Sequence, residues 1–170
     1  MNKTILFGLL SGVISTSLFA ADTGSGVVTF TGSVISAPCS IAPGADKQEV
    51  DLGQVSDITL GKGGSSTAQS FNIELQGCNL TDKNTVTVQF NGTETLDGSG
   101  LLQITGDATG AAVKIMNASG SQIAINSATT QNYVAGDNKL RFQAALQGLA
   151  GSTVEPGSFQ AVTNFTLAYN

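Results

Sequence analysis

The chain contains no histidine and no tryptophan, and it has two tyrosines, two cysteines and a charged fraction of 11%. Each shortage closes off a class of function. Without histidine, the Ser-His-Asp and Cys-His arrangements of nucleophilic hydrolysis are unavailable. Two thiols alone leave a tetrahedral zinc shell unfilled. Without tryptophan there is little aromatic surface to stack on sugar rings, which counts against a stand-alone secreted carbohydrate-binding β-sandwich. Seven Lys+Arg against twelve Asp+Glu, a net charge of −5, make a poor counter-surface for phosphates, so no nucleic-acid partner is expected. So few charges suit a surface that is partly covered by something else.

The glycine-rich stretches carry no ligand signature. Gly61-Lys62-Gly63-Gly64-Ser65-Ser66 has the wrong spacing for a phosphate-binding loop and no helical pattern behind it. Asp97-Gly98-Ser99-Gly100 and Gly106-Asp107 lack the acidic spacing of a calcium loop. No motif supports paired carboxylates for sugar hydrolysis. The chain is expected to be no enzyme and to use no cofactor or metal.

What is present begins with an export signal. Lys3 precedes an apolar run at Ile5–Leu10 and Val13–Ile14, then small residues and Leu18-Phe19-Ala20-Ala21. This order predicts a signal peptide over residues 1–20, cleaved after Ala20 or, alternatively, after Ala21. The run is short and broken by Gly and Ser, which disfavours a membrane anchor. Export places Cys39 and Cys78 in an oxidising compartment, where a structural disulfide is the expected state. Closing a loop of about 40 residues is worth roughly 4 kcal/mol on the chain-entropy model.

The rest alternates with period two. Val28, Phe30, Gly32 and Val34 form one face, and Val27, Thr29, Thr31 and Ser33 the other, as in a half-buried strand. Gly32 on the apolar face marks a close backbone approach. Strands are also expected at Gln48–Gly53, Gln69–Cys78 (Phe71, Ile73 and Leu75 inward), Val86–Phe90, Leu102–Ile104, around Val113–Ile115, Gln122–Ile125 and Lys139–Gln147. The last runs unbroken from Ser158 to Asn170, with Phe159, Ala161, Thr163, Phe165, Leu167 and Tyr169 on one face. Short strands divided by Gly, Asn, Asp and Ser turns specify an all-β antiparallel sandwich. Periodicity alone favours Val28–Val34 as a strand paired within its own domain, although the polar lead Asp22–Gly26 suits a segment that reaches out.

Three motifs, in order, resolve that choice by resemblance. Val28-Thr29-Phe30-Thr31-Gly32-Ser33-Val34 with Ala37-Pro38-Cys39-Ser40-Ile41 resembles the N-terminal motif of type 1-like fimbrial subunits assembled by the chaperone–usher route. Phe71–Cys78 resembles the family's second-cysteine strand. Gly157, the alternating residues behind it and the penultimate Tyr169 resemble its C-terminus. The resemblance covers essentially the whole mature chain, although about residues 91–135 carry no family motif. It implies an immunoglobulin-like sandwich lacking its final strand, with residues 21–33 as a donor-strand extension and 34–170 as the pilin domain. Val28, Phe30, Gly32 and Val34 would insert into a neighbouring subunit. Gly157, Phe159, Ala161, Phe165, Leu167 and Tyr169 would form the acceptor groove and chaperone contact. The implied partners are neighbouring subunits in a head-to-tail homopolymer, a periplasmic chaperone and an outer-membrane usher, with a final location in a surface fimbrium. The resemblance is closest to a major rod subunit; a minor adaptor subunit is the alternative within the family.

Overall fold

A computed structural model describes residues 25–80 and 84–170. The predicted signal peptide lies outside the described residues. The chain divides into two units, residues 1–34 and 35–170, and each is described by itself. Residues 25–34 form no strand.

Within the larger unit the strands are β1 (Ser40–Ile41), β2 (Gln69–Cys78), β3 (Thr85–Asn91), β4 (Leu102–Gln103), β5 (Thr105–Gly106), β6 (Ala111–Asn117), β7 (Gln122–Ile123), β8 (Ala128–Asn132), β9 (Gly136–Gly148), β10 (Phe159–Gln160) and β11 (Asn164–Tyr169). A single helical turn, Asp57–Leu60, is capped by the Ser56 hydroxyl, which accepts from Ile58 N. One sheet has the order β1-β2-β9-β6-β4, with β7 also on β6; a second has the order β11-β3-β8; β10 and β5 pair separately. Every pairing is antiparallel.

The alternation seen in sequence is the alternation of burial. Ile73 and Leu75 of β2, Leu140 and Phe142 of β9, and Val86, Val88 and Phe90 of β3 are all buried. The two sheets meet through aromatic rings: Phe90 lies edge-on to Phe142 at 5.0 Å and to Phe71 at 6.0 Å. Such pairs add about 0.5–1.5 kcal/mol beyond their buried area. The Cys39–Cys78 disulfide forms as expected, with both cysteines buried. It ties the chain ahead of β1 to the end of β2, where Asn79 N donates to Pro38 O at 2.9 Å.

Three sequence expectations differ from the fold. Gln48–Gly53 is not a strand: Val50, Leu52 and Val55 are half-buried, but among the described residues no strand pairs with residues 46–55. The side chains keep the inward pattern without a backbone partner. The final strand is not continuous. Its alternation of burial runs intact from Phe159 to Tyr169, but β10 pairs with β5 and β11 with β3. β3 ends at Asn91, so residues 161–163 run past the last backbone available to them, and Thr163 Oγ1 donates to Asn91 O at 3.1 Å instead. The third difference is β8, a strand that the sequence pattern does not announce. Its residues Ala-Thr-Thr-Gln-Asn carry no apolar alternation, and the ladder to β3 holds it.

Candidate functional site: an open strand edge beside an apolar groove

β11 is the edge of its sheet. Thr85 and Asn170 exchange both backbone hydrogen bonds, at 3.2 and 2.9 Å. In an antiparallel ladder such pairs alternate with non-bonded ones, so Ala168, Thr166 and Asn164 also turn their backbone groups to β3 in this register. The N–H and C=O of Phe165 and Leu167 therefore point to the other side, where no described strand pairs. The side chains of those same two residues turn inward and pack against the core. An unpaired row of amides above apolar side chains is a template for an added strand.

Beneath this edge lies a groove of about 1250 Å³. Its floor is the inner surface of the sandwich, including Ile73, Phe90, Val113 and Ile115, all of them buried. One wall is Phe159, Ala161 and Phe165; the other is the unpaired stretch with Leu52 and Val55. The core of a closed sandwich carries no cleft of this size between its sheets, because interiors pack close to crystal density. The groove exposes the apolar lining that one further strand would cover.

Gly157 lines the groove. A Cβ there would come within 2.5 Å of Ala108 N and 2.6 Å of the Asp107 carbonyl carbon. The two backbones are clasped: Ser158 O accepts from Asp107 N and Ala108 N at 2.9 and 3.1 Å, and Thr109 and Glu155 bond reciprocally at 3.2 and 3.1 Å. Gly110 belongs to the same clasp, since a Cβ there would collide with Thr153 O. Sequence patterns do not reveal Gly110 and Val55 as site residues, because close approach across the fold leaves no local signal.

Leu167 and Tyr169 lie farther along β11, half-buried against the core. The Tyr169 ring meets Tyr133 edge-on at 5.7 Å. Burial, with the Tyr133 charge as a second cause, pushes the Tyr169 hydroxyl above its ordinary value of 10.0. Among the described residues no group of three or more acidic, cysteine or histidine side chains is placed to hold a metal ion.

In the N-terminal unit, Val28, Phe30 and Val34 are exposed, Phe30 by 90% and Val34 fully, as is Val27. Gly32 has no atom within 4 Å of where a Cβ would stand.

Comparison with known proteins places the chain. The family model described as fimbrial protein matches residues 28–170. The Fimbria A protein of Serratia marcescens is 44% identical over 99% of this chain and 98% of its own length. The Major MR/P fimbria protein of Proteus mirabilis is 43% identical over 99% and 98%. Among solved structures, a chaperone-usher pilus analysed for rod uncoiling superposes with a TM-score of 0.80 at 34% identity, over 89% of this chain and 99% of that one. The P pilus rod subunit PapA gives a TM-score of 0.71 at 32% identity, over 79% and 100%. No catalytic family is indicated. The groove, the open edge and these likenesses together make the chain a member of the fimbrial protein family, a structural pilus subunit with an incomplete immunoglobulin-like sandwich.

Proposed function

We propose that this subunit polymerises by donor-strand exchange, an established form of strand addition in which a neighbour completes an open sheet. The observation that carries the reading is the free edge of β11 over a groove lined by core residues. Residues 21–33 act as the extension and 34–170 as the pilin domain. Val28, Phe30 and Val34 fill the neighbour's groove, and Gly32 lets the two backbones close. Phe159, Ala161, Phe165, Leu167 and Tyr169 receive the strand, while Gly157 lines the groove. A contact in which one end of each subunit enters the next does not close on itself, so it yields a filament.

Export follows the same logic. Residues 1–20 direct the chain to the periplasm, where a chaperone lends a strand to the groove, and an outer-membrane usher exchanges it for the next subunit's extension. The product is a surface fimbrium, and having both a donor and an acceptor suits this subunit to the body of the rod.

An unheated denaturing gel of surface-sheared material tests the reading, comparing the intact protein with one lacking residues 21–33. A ladder of multimers that collapses to monomer on boiling and disappears with the deletion is expected. A ladder that survives the deletion overturns the donor assignment. Gly32→Leu gives the finer version, with the ladder lost and the subunit still folded in the periplasm.

A further inference from the structure

We propose that Asn126 guards the Asn91–Gly92 peptide against deamidation, making Asn91 a latent modification site that opens only when this corner of the fold opens. Asn91–Gly92 is the sole Asn-Gly pair in the sequence. Deamidation there starts when the Gly92 amide nitrogen, having given up its proton to solvent base, attacks Cγ of Asn91. The N–Cγ bond forms, the Cγ–Nδ2 bond breaks, and Nδ2 takes up a proton and leaves as ammonia. Water then opens the cyclic imide to aspartate or isoaspartate. A glycine in the second position leaves the attack unhindered, so the pair is a hazard unless its geometry forbids the reaction.

The glycine sits in a crowded corner. A Cβ at Gly92 would come within 2.6 Å of Leu102 Cδ1 and 3.4 Å of Val162 O. The nucleophile is instead held by its neighbour. Gly92 N donates to Asn126 Oδ1 at 3.2 Å, and Asn126 Nδ2 donates to Gly92 O at 3.2 Å. Asn126 is itself fixed: its N–H donates to Phe90 O at 2.8 Å, and its C=O accepts from Gln89 Nε2 at 2.8 Å. It stands at φ 64°, a left-handed conformation that asparagine adopts more readily than most residues. The residue that carries the electrophile is anchored as well. Asn91 Nδ2 reaches 3.5 Å from Thr166 Oγ1 of β11, Asn91 O accepts from Thr163 Oγ1, and Asn91 pairs with Asn164 in the ladder. Attack requires the Gly92 N–H to leave Asn126 and Asn91 to leave β11 together.

Peptide mass spectrometry of protein purified from its own cells, incubated at mildly alkaline pH, reads the amide-to-acid mass gain at Asn91. The folded protein is expected to convert at least about tenfold more slowly than the same protein in urea. Asn126→Gly keeps the left-handed backbone and removes both side-chain bonds; it is expected to convert about fivefold faster than the unaltered protein. Asn126→Asp keeps an acceptor for Gly92 N but sets a carboxylate oxygen against Gly92 O where Nδ2 donated, so it is expected to convert faster than the unaltered protein and no faster than Asn126→Gly. Equal rates in folded and unfolded protein overturn the proposal. So does an Asn126→Gly or an Asn126→Asp rate equal to the unaltered one. Circular dichroism verifies that each variant is folded; should Asn126→Gly fail to fold, the Asn126→Asp rate and the folded-to-urea ratio still decide.

Discussion

The sheet β11-β3-β8 has two open edges, and they differ in what lies under them. At both, alternate backbone groups face away from β3: Phe165 and Leu167 on β11, and Ala128, Thr130 and Asn132 on β8, since Tyr133 N bonds to Asn84 O and the ladder alternates from there. On β11 the residues with outward amides carry half-buried apolar side chains, and two of its neighbours in the chain, Phe159 and Ala161, continue that lining. On β8 the corresponding side chains are all exposed, two of them are polar, and the strand is five residues long. Unpaired amides occur at any sheet edge, and short polar strands are a way of keeping an edge from recruiting a partner. What makes one edge a docking site is the apolar surface that a second strand would cover.

The contrast is most directly broken at Phe165. Phe165→Asp is expected to abolish multimers and to destabilise the subunit by about 5 kcal/mol, because it removes a packed ring and sets a charge in the groove. A gel ladder and the yield of soluble periplasmic subunit measure both effects. Removing the Cys39–Cys78 bond, by Cys39→Ser with Cys78→Ser, is expected to cost about 4 kcal/mol. Because that loss is global, urea midpoints should fall whether or not the groove is filled. Thr130→Asp on β8 is expected to change stability by about 1 kcal/mol or less and to leave the ladder intact. The only local change there is at the 3.2 Å hydroxyl contact of Thr87 with Thr130. A lost ladder in this variant would mean that β8 is also an assembly edge.

The smallest effect separates the edges by pH. β8 has no titratable side chain, whereas β11 ends in Tyr169, whose folded-state pKa is raised above 10.0 by burial. Below pH about 10, Tyr169 is protonated in both folded and unfolded chains and contributes no pH dependence. Above it the unfolded chain releases the proton first, so stability falls as pH rises through the folded-state value. Thermal midpoints are expected to decline more steeply above pH about 10 in the unaltered protein than in Tyr169→Phe. Parallel curves would remove Tyr169 from the account.

The parts legible in the sequence are those where side-chain burial repeats every second residue. Phe71, Ile73 and Leu75 of β2, and Phe159 through Tyr169, alternate in sequence as they do in burial. The parts that stay hidden depend on backbone partners, which period-two patterns do not encode. Leu52 faces inward as a strand residue would, but its segment has no described strand beside it. Thr129 and Thr130 have a strand beside them and no apolar pattern to reveal it. The groove is where these two kinds of information part: apolar residues repeat along its walls, and no described strand pairs with the outer edge of β11 beside them. Resemblance supplies what periodicity does not, because the motif around Val28–Val34 read alone favours an internal strand.

The position of the disulfide has a mechanical consequence. A pull on the N-terminal segment enters the larger unit ahead of β1, a strand of two residues that offers little resistance. Cys39 passes that load through a covalent bond to Cys78, at the end of the ten-residue β2, which is laddered to β9. The load thus bypasses the two-residue β1 and reaches the longest ladder among the described residues. Forced unfolding is governed by the unfolding rate, so cutting this bond is expected to speed unfolding of the subunit under load.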